Sequence, residues 1–130
     1  MTLIDSIYVN NGGAKILLEY LLQEIINGKL NKNCFVIVDH RCNLPKKLLN
    51  NFEHTHLKGF GISRFSFYKK NKNKFSKVLC FGNVPPLIKC HKQVVFTYFH
   101  QPNYVDSLNF NFKNIHFFFK RNYIKFLLGN

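Results

Sequence analysis

Residues Cys34, Phe35, Val36, Ile37 and Val38 are apolar at every position. A strand with one solvent face alternates between apolar and polar residues. A strand covered on both faces reads as an unbroken apolar run, as in parallel sheets flanked by helices. The run ends at Asp39. Upstream, residues 3–9 read as another strand that ends in the turn Asn10-Asn11-Gly12-Gly13. Between them, Ala14, Leu17, Leu18, Leu21, Leu22, Ile25 and Ile26 recur at three- and four-residue spacing, the stripe of an amphipathic helix. Asn27-Gly28 is a suitable stop, because both residues tolerate the left-handed conformation. Strand, helix and strand in this order make a βαβ unit.

The same reading extends downstream. Residues 45–52 predict a short helix with Pro45 in its first turn, and residues 56–62 a third strand weakened by Gly59 and Gly61. Residues 64–77 are polar and basic, and fit a short helix or a loop. Residues 78–81 and 93–99 predict two more strands, and residues 110–128 a helix with the stripe Ile115, Phe118, Phe119, Tyr123, Phe126 and Leu127. The expected fold is α/β: a Rossmann-like open, mainly parallel sheet with helices on both faces, in one domain over residues 1–130. A chain of 130 residues buries roughly two-thirds of its unfolded surface, enough for a genuine core.

The formal net charge is +13, nearly all from lysine; Arg41, Arg64 and Arg121 are the only arginines. Such imbalance favours a polyanion or an anionic membrane surface. Lysine gives diffuse attraction, whereas base and phosphate readers lean on the arginine fork. A lysine-biased codon supply, which also fits the 15 phenylalanines, accounts for the charge equally well. The cysteines Cys34, Cys42, Cys80 and Cys90 show no C-x-x-C spacing, and His54, His56 and His91 have no ligand-like neighbours, so no metal is expected. Met1 to Val9 includes Asp5 and lacks a basic leader region, and no apolar stretch nears the roughly 20 residues of a membrane span, so a cytoplasmic location is expected.

In an open parallel sheet, ligands bind beyond the carboxyl ends of the strands. Three unusual segments fall there: Asn11-Gly12-Gly13, Gly82-Asn83-Val84-Pro85-Pro86 and His100-Gln101-Pro102. Gly12 and Gly13 let a backbone approach a ligand, and the following helix aims N–H groups at it, which suits a phosphate. A tight turn explains the same glycines. His100 ends a strand and can act as a base near neutral pH, or simply bond a loop carbonyl. With only six acids, a self-contained hydrolase is hard to build.

The segments Tyr8-Val9-Asn10-Asn11-Gly12-Gly13-Ala14-Lys15, Phe81-Gly82-Asn83-Val84-Pro85-Pro86 and Thr97-Tyr98-Phe99-His100-Gln101 together resemble the N-terminal, acceptor-side domain of GT-B glycosyltransferases. The likeness is to the family-4-like type, the glycosyl transferases group 1, and runs from about residue 3 to residue 128. It implies that Gly12 and Gly13 face the diphosphate of a nucleotide-sugar donor and that His100 lies near the transferred sugar as the catalytic residue. Asn11, Asn83, Pro85, Pro86 and Gln101 would line the cleft. The nucleotide-sugar is a substrate, and no cofactor is implied. The family's donor-side acids belong to a C-terminal domain with no counterpart here, so the chain is expected to be truncated and inactive alone, with that half encoded separately. The acceptor would be a glycan or a lipid-linked molecule, reached from the inner face of the membrane. Two other readings stay open: a small basic nucleic-acid-binding protein, and a stand-alone nucleotide-binding Rossmann domain with Asp39, roughly 26 residues after Gly13, as its ribose-binding acid.

Overall fold

The computed structural model describes residues 1–59, 61–86, 88 and 93–98. Five parallel strands form one sheet: β1 (Thr2–Ser6), β2 (Cys34–Asp39), β3 (Glu53–Leu57), β4 (Lys77–Cys80) and β5 (Val94–Thr97), in the spatial order β3-β2-β1-β4-β5. Among the described residues, three α-helices lie between them, α1 (Gly12–Asn27), α2 (Lys46–Leu49) and α3 (Gly61–Asn71), with a 3-10 turn at Asn31–Asn33. The expected Rossmann-like α/β architecture is therefore present.

Side-chain alternation along the strands splits the core in two. Ile4, Val36 and Val38 face α1 and α2, and pack with Leu18, Leu22, Leu48 and Leu49. Leu3, Ile37 and Val78 point the other way and pack with Tyr68 and Phe75, next to α3. Central β1 is buried from Leu3 to Ser6. In register it pairs Ile4 with Val36 on one side and with Leu79 on the other. Ser6 Oγ also donates to the Ile37 carbonyl at 2.5 Å, so this buried hydroxyl is satisfied.

Several boundaries move. The first strand stops at Ser6, because the chain turns there: the Val9 amide donates back to the Ser6 carbonyl at 3.0 Å. The third strand is Glu53–Leu57, earlier than the expected 56–62; Gly61 already starts α3. Residues 64–77 resolve into most of α3 followed by a turn into β4. Helix α1 does not end on a left-handed glycine. Gly28 has φ −77°, and Lys29 takes the left-handed place at φ 56°. Around it, Leu30 N–H reaches the Ile25 carbonyl at 3.0 Å and Lys29 N–H the Ile26 carbonyl at 2.9 Å, the double closure of a Schellman cap. The predicted helix over 110–128 lies outside the described residues.

Candidate functional site

Strand order reverses at β1. From β1 the chain moves through β2 to β3 on one side, then crosses to β4 and β5 on the other. By the general rule for open parallel sheets, a ligand crevice is expected at such a switch point, at the carboxyl edge of β1 and β4. Left-handed backbone concentrates there. Of the four described residues with positive φ, Tyr8 (79°) and Gly12 (63°) follow β1 and Asn83 (63°) follows β4; the fourth is Lys29. Tyrosine has no natural preference for this conformation, so surrounding contacts must hold it.

Those contacts come from β2. Asp39 is fully buried, and its Oδ2 accepts the Tyr8 amide at 3.1 Å. Arg41 grips the same carboxylate as a fork, Nε to Oδ1 at 2.9 Å and Nη2 to Oδ2 at 2.8 Å, and the Arg41 amide adds a bond of 3.0 Å to Oδ1. Burial pushes the Asp39 pKa up. The bonds from Arg41 and the Tyr8 amide outweigh it and hold the pKa at about 2. Both oxygens are engaged, so Asp39 does not offer a free carboxylate to a ribose. That removes the main support for a dinucleotide-binding reading. The Arg41 side chain is 49% exposed, so the fork also presents positive charge to solvent at this edge.

Asn11, Gly12 and Gly13 are exposed at the start of α1. Asn11 has extended backbone and its side chain makes no capping hydrogen bond; the first turn holds no acid. A side-chain carbon built on Gly12 or Gly13 meets nothing within 4 Å. The start of α1 is thus exposed, and its first turn carries no acid, an arrangement suited to an anion.

The exit from β4 is packed tightly. Phe81 N–H donates to the Asp5 carbonyl at 2.8 Å, and Gly82 lies directly against the Ile7 carbonyl oxygen. Asn83, Pro85 and Pro86, expected on the cleft wall, are buried, as is Val84 between them. The loop is pinned from within by Arg64, 4% exposed. Its Nη2 donates to the Val84 carbonyl at 2.7 Å and its Nη1 to the Pro85 carbonyl at 3.1 Å. Its Nε pairs with Asp5 Oδ2 at 2.8 Å, and the Tyr68 hydroxyl donates to that same oxygen at 2.6 Å. Burial and the Asp5 charge push the neighbouring Cys80 thiol up to about 12, which leaves it inert.

Sequence reasoning missed Tyr8, Arg41 and the Asp5–Arg64–Tyr68 cluster. One signal pointed to the last: Asp5 interrupts an apolar strand, and a carboxylate in a central strand needs a partner. His100 and Gln101 lie outside the described residues. His54 and His56 stand together on β3 with ring centroids 5.7 Å apart, yet among the described residues no three metal-ligating side chains gather. No described helix is long and apolar enough to cross a membrane. The lysine run at the end of α3 precedes β4, so it lies at the amino edge of the sheet, away from the crevice. There Lys74 Nζ sits 4.7 Å from the Phe35 ring centre and 3.4 Å from Glu53 Oε2. Comparison with protein-family models, with curated proteins and with solved structures gives no match.

Proposed function

We propose that the chain is the acceptor-side half of a GT-B glycosyltransferase of the family-4-like type, which moves a sugar from a nucleotide-sugar to a glycan or lipid-linked acceptor. The observation that carries this reading is the meeting of an uncapped helix start with three left-handed residues at one switch point of a parallel sheet. In this reading the donor diphosphate rests on the amides of Gly12 and Gly13, where it replaces water without displacing any side chain. Arg41 adds positive charge at the same edge, fixed by Asp39 rather than free to swing. His100 serves the transferred sugar, and a donor-binding domain supplies the remaining contacts. The enzyme works in the cytoplasm at the inner face of the membrane, and its lysine excess favours the anionic surface there.

Calorimetric titration of the chain with UDP, UDP-sugars and NAD tests the reading. UDP and UDP-sugars are expected to bind and NAD not to. Gly13→Ala is expected to weaken UDP binding by putting a methyl group where the phosphate approaches. Tight NAD binding, or UDP affinity indifferent to Gly13→Ala, would sink the proposal. Sugar transfer is expected only when a donor-binding domain is supplied.

A further inference from the structure

We infer that Arg64 is a positioning residue that fixes the loop after β4 against the exit of β1, at the switch point of the sheet. Three observations converge on this side chain. It bonds the carbonyls of Val84 and Pro85 in the loop after β4. Its guanidinium carbon lies 5.8 Å from the centre of the Tyr8 ring, in the turn after β1. Its Nε is tied to Asp5 within β1 itself. One planar group therefore touches both exits and is anchored to the strand between them.

The chemistry explains why this group is an arginine. The side chain carries five N–H donors in a fixed plane. Nε serves Asp5, Nη1 serves Pro85, and Nη2 serves Val84, with the Cys80 sulfur a further 3.7 Å contact. Prolines at 85 and 86 contribute no amide hydrogens, so this stretch of loop cannot be fixed by donating its own backbone. Its carbonyls must accept from elsewhere, and Arg64 is the donor. A lysine ammonium acts from a single point and cannot meet a carboxylate and two diverging carbonyls together. Tyr68 shares the Asp5 anchor through its hydroxyl and supports the pair from α3.

The consequence for ligand binding rests on the nucleotide-sugar reading above; the consequence for loop geometry does not. Hydrogen exchange of the whole chain reads the second directly. In Arg64→Lys, the amides of Phe81 to Val84 are expected to exchange at least tenfold faster, while those of β1 and β2 keep their protection. Tyr68→Phe lowers global stability but should leave the loop amides within about twofold of wild type. Equal loosening in both variants, or none in Arg64→Lys, overturns the inference. Should Arg64→Lys fail to fold, Asp5→Leu combined with Arg64→Met replaces the pair by apolar groups of similar volume and leaves no buried charge; the same amides are then compared. In parallel, UDP affinity is expected to fall at least tenfold in Arg64→Lys and to survive in Tyr68→Phe. If wild type fails to bind UDP, the placement of the donor diphosphate on Gly12 and Gly13 falls, and the exchange data alone still decide the role of Arg64. If wild type binds and Arg64→Lys binds equally well, the positioning role falls and the sugar-transfer reading stands.

Discussion

Gly82 rests against the carbonyl oxygen of Ile7, with no room between them for a side-chain carbon. The obstacle is backbone, which cannot swing aside as a side chain would. The exits of β1 and β4 are therefore in main-chain contact, and the glycine is required for space rather than for dihedral freedom. Gly82→Ala is expected to destabilise the fold by about 3 kcal/mol, the upper range for overpacking a tight interior. Urea unfolding should show a lower midpoint with an unchanged slope. An unchanged midpoint would mean that the two exits separate at little cost.

The glycines at the start of α1 are expected to behave in the opposite way. Gly13 has open space around it and lies within the helix. Gly13→Ala should stabilise the chain by about 0.5–1 kcal/mol, the ordinary gain of alanine over glycine in a helix. Gly12 has φ 63°, so Gly12→Ala should cost about 1 kcal/mol despite equal space. Thermal melts of the two variants check the signs. Increased stability in Gly13→Ala together with weakened UDP binding would show that a glycine there serves a ligand and not the fold.

The strands most readable in the sequence are those whose surroundings are apolar on both sides. β2 lies between two helical layers, and its unbroken run, Cys34 to Val38, announces this. β3 is an edge strand, Glu53-His54-Thr55-His56-Leu57, whose position is fixed by hydrogen bonds to β2 rather than by burial. Backbone pairing leaves no hydropathy pattern, so the strand is misplaced by a search for apolar residues. α3 was obscured for a related reason. Its two buried residues are Arg64 and Tyr68, four apart on one face, but an inward arginine reads as a surface residue until its partner is known. That partner, Asp5, lies 59 positions away. The glycine turn at the crevice was legible because it is local. The clamp beneath the crevice was not, because it joins β1, α3 and the loop after β4.

The end of α1 gives a prediction about strain. Lys29 occupies the left-handed position of the cap at φ 56°, while Gly28, one residue earlier, has an ordinary φ. A lysine in this conformation is disfavoured by the approach of its Cβ to the following carbonyl. Lys29→Gly is expected to stabilise the chain by about 0.5–1 kcal/mol, whereas Gly28→Ala should be near neutral, because its built side-chain carbon comes no closer than 3.4 Å to any atom. Differential scanning calorimetry of both variants checks the pair. A loss of stability in Lys29→Gly would mean that its charge at the helix end outweighs the backbone strain.

The Asp39 carboxylate ties acid stability to the crevice. Its pKa of about 2 in the folded chain lies below its ordinary value of 3.8. The unfolded chain therefore takes up this proton first as pH falls. The resulting stabilisation is complete above about pH 5, declines as pH drops through 4 and then through 2, and is gone below about pH 1. Its size is roughly 1–2 kcal/mol, allowing for solvent around the half-exposed guanidinium of Arg41. Asp39→Asn should be less stable than wild type at pH 7, and the two stability curves should converge between about pH 4 and pH 1. The same substitution weakens the anchor of the Tyr8 amide and the fork that fixes Arg41. The Tyr8 amide is thus expected to lose exchange protection in Asp39→Asn at pH 7, where the global fold persists. A constant gap between the curves at all pH values would show that Asp39 keeps its ordinary pKa. A protected Tyr8 amide in Asp39→Asn would show that the left-handed turn after β1 is held from the β4 side instead, by Gly82 and the ring contact with Arg64.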